Sequence, residues 1–254
     1  MIDNIVFITG ASSGIGEACA YKFASQGYNL ILNARSVQKL NELESKLAAM
    51  YNVHVLTLPF DVRNREEVNN ALSTLPEEWK NINILINNAG LVIGVDKEFE
   101  GNLDEWDIVI DTNIKGLLTV TRLLVPGMVQ RGKGHIINIG SIAGDAAYPG
   151  GSVYCATKAA VKVLTDGLRI DLVDTPLRVT NIKPGMVETN FSVVRYRGDK
   201  ETADNFYKGI HALSGEDIAE TVYFTATAPP HIQIAEVLIM PTNQATGTIS
   251  YKKV

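Results

Sequence analysis

Apolar residues in this chain fall into two rhythms that alternate from one end to the other. Short runs at residues 4–9, 29–33, 53–58, 84–87, 135–139, 178–182 and 236–240 are apolar or β-branched at most positions and too short for helices, which predicts strands buried on both faces. Between them, residues 14–26, 37–50, 66–73, 107–131, 154–174 and 216–228 repeat apolar positions at helical spacing. Strand and helix in alternation imply parallel strands joined by right-handed crossovers. The pattern therefore predicts an α/β protein, a doubly wound parallel sheet of about seven strands with helices on both faces. No internal repeat, low-complexity tract or Pro/Gly-rich linker divides the chain, so one domain over residues 1–254 is expected.

A sheet of this kind binds its ligand at the carboxyl ends of the strands, so the chemistry should follow a strand. Directly after the first strand comes Thr9-Gly10-Ala11-Ser12-Ser13-Gly14-Ile15-Gly16. Glycines at 10, 14 and 16 let the backbone turn tightly and approach a pyrophosphate, which then meets the free N–H groups at the start of the helix. After a strand and before a helix, this spacing is the Rossmann dinucleotide turn. The second strand runs into Asn33-Ala34-Arg35-Ser36, with no carboxylate to hold the ribose hydroxyls of NAD. Arg35 instead offers a planar fork of donors suited to a 2′-phosphate, and NADP is the expected coenzyme.

Composition narrows the classes. Hydrophobic residues make up 46% and charged residues 20%, the balance of a globular enzyme, and a net charge of −5 provides no basic face for nucleic acid. No apolar run approaches about 18 residues, so no membrane span is expected. The first strand lies too near Met1 for a signal peptide, which predicts a cytoplasmic protein. Cys19 and Cys155 fall in predicted helices and read as half-buried thiols rather than a disulfide. His54, His135, His211 and His231 are scattered without the paired spacing of a metal site, and none is expected.

Tyr154 and Lys158 stand four apart at the start of a predicted helix, on one face. A free tyrosine titrates near pH 10, and an ammonium nearby favours the phenolate, bringing it towards the range that acid–base catalysis needs. Ser141 follows the fifth strand, where its hydroxyl can donate to a carbonyl oxygen while Tyr154 handles the proton. Asn113 interrupts an otherwise amphipathic helix, and Asn87-Asn88-Ala89-Gly90 ends the fourth strand in a small turn fit to lie beside a ribose.

With these residues in place, the chain resembles the short-chain dehydrogenase/reductase family along essentially its whole length. Thr9–Gly16 is similar to the family's coenzyme motif, which puts Ser12, Ser13 and Ile15 among the contacts and Ser36 beside Arg35. Asn87–Gly90 resembles its sheet-stabilising motif, with Asn88, Ala89 and Gly90 towards the coenzyme. Asn113, Ser141, Tyr154 and Lys158 resemble its catalytic tetrad. The resemblance makes Tyr154 the acid/base, Ser141 the group polarising the substrate oxygen, and Lys158 the holder of the ribose. It also gives Asn113 the backbone that supports a water relay to Lys158. Asp61 and Val62 resemble the adenine contacts, and Pro184-Gly185-Met186-Val187-Glu188-Thr189 the loop gripping the nicotinamide carboxamide, through Pro184, Gly185, Val187 and Thr189. A homotetramer is implied as well.

The C-terminal third varies most in this family, with the substrate loop expected near residues 188–212. The segments 190–199 and 240–245 resemble the branch of NADP-dependent dehydrogenases acting on small 3-hydroxy acids and 3-hydroxy amino acids, serine and allo-threonine included; Asn190 departs from the glutamate often found there. A carboxylate on such a substrate needs a cation. Arg195, next to Val193 and Val194, is the expected anchor, and Arg197 is expected to face solvent. Other readings stay open: a ketoreductase for prochiral ketones or 3-oxoacyl thioesters, a catalytically inactive NADPH-binding regulator, and an extended sugar epimerase. Pro241-Thr242-Asn243, where an oxoacyl reductase has a glycine pair, weighs against the first.

Overall fold

In the computed structural model, which describes residues 2–252, β1 (Ile5–Thr9) lies inside a seven-stranded sheet ordered β3-β2-β1-β4-β5-β6-β7. The other strands are β2 (Asn29–Ala34), β3 (Val55–Pro59), β4 (Ile82–Asn87), β5 (His135–Ile139), β6 (Arg178–Pro184) and β7 (Glu236–Ile239). Every pairing is parallel, as the doubly wound prediction required. The ends of the expected 1–254 domain, residue 1 and residues 253–254, lie outside the described residues.

Period-two alternation divides each central strand between two cores. Val6 and Ile8 of β1 face one, against Phe23 of α1 (Gly14–Ser25), Leu40, Leu43 and Leu47 of α2 (Val37–Met50), and Ile218 and Val222 of α9 (Gly215–Ala226). Ile5 and Phe7 face the other, against Val68 and Leu72 of α3 (Arg65–Ser73) and Val120 and Leu124 of α5 (Leu117–Arg131). Strands buried on both faces cannot show a polar side, which is why their sequences read as continuous apolar runs.

Three differences from the predicted elements bear on the site. The helix expected over 107–131 is α4 (Leu103–Ile110), a π turn (Asp111–Gly116) and α5. A π turn carries one residue more than an α turn and is masked by the hydrophobic period around it. The span 188–212 contains α7 (Phe191–Arg195) and α8 (Lys200–Tyr207), too short and polar to announce themselves. α6 (Ser152–Asp171) begins two residues before Tyr154. Cys19 and Cys155 are free and fully buried rather than half-buried. Among the described residues, no helix is long and apolar enough to cross a membrane, and no group of three or more His, Cys, Asp or Glu side chains is placed to hold a metal.

Candidate active site

At the carboxyl edge of the sheet, where β1 and β4 lead in opposite directions across the strand order, a cleft of about 850 Å³ opens. Gly10 and Gly14 have φ of 65° and 57°, a conformation that a side chain resists. Gly16 lies behind the wall: a Cβ there would come within 2.4 Å of the Gly10 carbonyl oxygen and 2.5 Å of Asn88 Nδ2. It lets α1 close onto the strand. The turn is pinned from β4, since Thr9 Oγ1 accepts from the amides of Asn88 and Ala89 at 3.0 Å each. Asn88 Nδ2 returns bonds to the Thr9 and Gly10 carbonyls at 2.9 and 3.1 Å. One residue back, Asn87 donates to Asn138 Oδ1 at 2.9 Å and Thr121 Oγ1 at 3.0 Å, locking β4 to β5 and α5.

Arg35 and Ser36 line the same cleft beyond β2, and so does Lys39, one turn into α2. Both cations are exposed, and neither forms an ion pair among the described residues. Asp61 and Val62 close that end. Burial pushes the Asp61 carboxyl up, but the Arg63 guanidinium bonded to it wins and holds it below its usual range. Across the cleft, Pro184, Gly185, Val187 and Thr189 form the opposite wall. Gln244 fixes this loop by accepting from the Met186 amide at 2.8 Å.

At the deep end stand Ser141, Tyr154 and Lys158. Tyr154 is buried, its ring edge-on to Phe191 at 5.7 Å between centroids. The Lys158 Nζ donates to the Ile139 carbonyl at 2.7 Å and lies 5.9 Å from the Tyr154 ring centre. Burial brings the lysine down to about 8. It also pushes the Tyr154 phenol above its ordinary value, with Tyr148 raising it further, while a hydrogen bond from Ser141 and the charge of Arg195 pull it down. Desolvation dominates at this phenol, and the Lys158 ammonium, held on the Ile139 carbonyl, is not among the groups that lower it.

Asn113 sits behind the cleft on the π turn. Its Nδ2 donates to the Leu91 carbonyl at 2.9 Å and to Thr157 Oγ1 at 3.0 Å, and its Oδ1 accepts from the Leu91 amide at 2.9 Å. The side chain thus clamps the loop after β4 to α6. At the mouth lies Arg195, its guanidinium 5.3, 5.7 and 5.5 Å from the rings of Tyr148, Tyr196 and Phe206. Its Nε is buried and bonded to no partner among the described residues. Arg197 is exposed, as expected from its sequence, but it is also ion-paired to Asp96 and to Glu105, the latter at 2.8 Å. Both acids come from elements distant in the chain, so no local pattern could reveal the pairing.

Sequence reasoning also missed Lys39, Tyr148, Phe191 and Gln244. Lys39 was within reach, one helical turn past Arg35-Ser36; the other three are brought in only by tertiary packing.

Fold and cleft together define the class, an α/β oxidoreductase of the dinucleotide-binding kind. The profile described as short chain dehydrogenase matches residues 4–199, and the chain belongs to that family. It is 44% identical over 247 residues to an NADP-dependent 3-hydroxy acid dehydrogenase of Salmonella typhi, covering 97% of this chain and 98% of that protein. A protein of the same description from Schizosaccharomyces pombe is 43% identical, over 98% of this chain and 96% of its own. Among solved structures, the closed form of a serine dehydrogenase complexed with NADP+ superposes with a TM-score of 0.91 at 43% identity, covering 98% of this chain and all of that one.

Proposed function

We propose that the protein interconverts a small 3-hydroxy acid or 3-hydroxy amino acid, of the serine, allo-threonine or 3-hydroxypropionate type, with the matching 3-oxo acid, using NADP(H). The observation that carries the substrate class is Arg195. A cation enclosed by three aromatic faces, with a buried Nε left unbonded, stands at the mouth of a cleft that ends in Tyr154. Such a group is poised for the carboxylate of a small substrate. The functions named for the relatives point the same way.

The residues present fit the coenzyme. Gly10 and Gly14 carry the positive φ of the turn without a Cβ to crowd Ala89 or Thr189, and the helix start beyond it, with Ser12, Ser13 and Ile15 on the wall, favours an anion. Arg35, Ser36 and Lys39 would hold the 2′-phosphate, and Asp61 and Val62 the adenine end. Asn88, Ala89, Gly90, Tyr154 and Lys158 would meet the ribose, and Pro184, Gly185, Val187 and Thr189 the carboxamide. When bound, the coenzyme gives or takes the hydride.

The protein's own part is the proton and the orientation. In oxidation the Tyr154 phenolate takes the substrate's hydroxyl proton; in reduction the phenol returns it. Ser141 donates to the same oxygen. Lys158 favours the phenolate when charged, and Asn113, through its backbone, supports a water path to Lys158. Arg195 orients the acid so that the carbinol faces Tyr154. We place the protein in the cytoplasm, as one domain with a substrate loop at 188–212, assembled as a homotetramer.

Two measurements test this. Arg35→Ala should weaken NADP(H) about tenfold while leaving NAD(H) nearly unchanged, since a charge-assisted contact contributes roughly 1.5 kcal/mol or more and Lys39 remains. Equal losses for both coenzymes in titrations of intrinsic fluorescence would overturn the phosphate assignment. Arg195→Leu should raise KM for serine and 3-hydroxy acids by roughly 10- to 100-fold and lower kcat, with a much smaller change for uncharged alcohols of equal size. If all substrates slow together, the anchor reading fails and the ketoreductase alternative takes its place.

A further inference from the structure

Arg197 ends α7 in a backbone conformation that arginine seldom adopts. Its φ is 52°, in the left-handed region. The Gly198 amide reaches back to the Val193 carbonyl at 2.8 Å and the Arg197 amide to the Val194 carbonyl at 3.1 Å. This is the helix-ending motif whose left-handed position usually belongs to glycine. A glycine follows immediately at 198, yet the strained place is given to an arginine. A non-glycine residue persists in such a conformation when its surroundings hold it there.

The side chain shows what holds it. Nε and Nη2 donate to the two carboxylate oxygens of Glu105 on α4 at 2.8 Å each, and Nη2 also donates to Asp96 in the loop after β4. Beneath this fork the Gly94 amide donates to the Arg195 carbonyl at 2.9 Å. The loops are packed closely: a Cβ on Gly94 would come within 2.7 Å of Arg197 Nη2, and one on Gly150 within 2.2 Å of the Val95 carbonyl oxygen. Three chain segments, following β4, preceding α6 and following β6, thus meet around Arg195, and Arg197 is the charged link across their outer side.

We propose that Arg197 is a positioning residue, a clasp that fixes the backbone of Arg195 through Asp96 and Glu105 and so sets the protein's preference for anionic over uncharged substrates. The inference rests on the reading of Arg195 as the carboxylate anchor. Asp96 and Glu105 would then be selectivity residues that never meet the substrate.

The test uses the whole protein with Arg197→Gly, Arg197→Leu and Arg197→Lys, read by two measurements. The first is hydrogen exchange of the Gly94 amide, which reports the clasp with no substrate present. The second is the ratio of kcat/KM for a 3-hydroxy acid to that for an uncharged alcohol of equal size. Arg197→Gly is decisive, because it relieves the left-handed turn while removing the charge. It and Arg197→Leu are expected to speed Gly94 exchange and lower the substrate ratio about five- to tenfold, the size of a partly exposed charge network. Arg197→Lys should restore most of both. The double variant Asp96→Asn, Glu105→Gln should reproduce the loss with arginine in place. If Arg197→Gly matches the wild type in both readouts, the residue only ends a helix and the proposal is overturned. It is equally overturned if Gly94 exchange quickens but the ratio stays fixed while Arg195→Leu lowers it. If Arg195→Leu leaves the ratio unmoved, the anchor reading falls instead, and Gly94 exchange alone decides the clasp.

Discussion

Tyr154→Phe is expected to lower turnover by roughly 10²–10⁴, the usual cost of removing a positioned acid–base group, while fold and NADPH affinity survive. The variant keeps the ring, so the edge-on contact with Phe191 in the buried site remains. Only the phenol hydroxyl, in the cleft that Ser141 also lines, is lost. Oxidation should also climb with pH in the wild type, because its base is a phenolate and burial holds the Tyr154 phenol above its ordinary value. That climb should vanish in the phenylalanine variant. Single-turnover absorbance at the coenzyme band measures both effects, and a variant keeping more than about a tenth of wild-type kcat would point to another proton carrier.

Lys158→Met should abolish turnover yet make the protein more stable at neutral pH. Burial lowers this lysine from 10.5 to about 8. Between those two values the unfolded chain holds a proton that the folded one has released, so wild-type stability rises with pH across that window. Below about 8 both states hold the proton, and the whole cost of burying the charge persists. That cost is about 3 kcal/mol, reduced by about 1 kcal/mol for the bond to the Ile139 carbonyl that methionine cannot make. Urea titrations at pH 7 should therefore favour methionine by about 2 kcal/mol, an advantage that is gone by about pH 10 and reversed above about 10.5, where only the lost bond of about 1 kcal/mol remains. A pH-independent difference would mean that the lysine is not titrating as a buried cation. Stability spent to keep a charge inside is a common feature of working sites.

Residues that act through chain-local geometry were legible in the sequence. The five central strands were, because a run buried on both faces has few other uses. The edge strands β3 and β7 were found as short apolar runs although they are partly exposed rather than buried on both faces. The glycine turn was legible because its spacing follows from backbone conformation alone. Tyr154, Lys158 and Ser141 were placed by helical spacing and strand ends. The π turn was hidden, since its extra residue leaves the apolar period intact on either side. The partners of Arg197 were hidden too: Asp96 and Glu105 lie far back in the chain, and only folding brings them near. Electrostatics at Tyr154 proved hardest to read, because a sequence gives the charge of Lys158 but not the carbonyl it is bonded to.

The place of β1 inside the sheet has a consequence for how the chain is made. β1 pairs with β2 on one side and with β4 on the other, so strands two and three can assemble on it while its second edge stays open. Parallel pairing across the long stretch to β4 carries a large loop-closure entropy, and such steps are slow. Strands five, six and seven lie outward of β4 in chain order. The glycine turn, meanwhile, is held by bonds from Thr9 to Asn88 and Ala89, which do not exist before β4 docks. A nascent chain on the ribosome is thus expected to have no formed coenzyme turn until residue 90 has cleared the exit tunnel, and coenzyme added during translation should speed only the steps that come later.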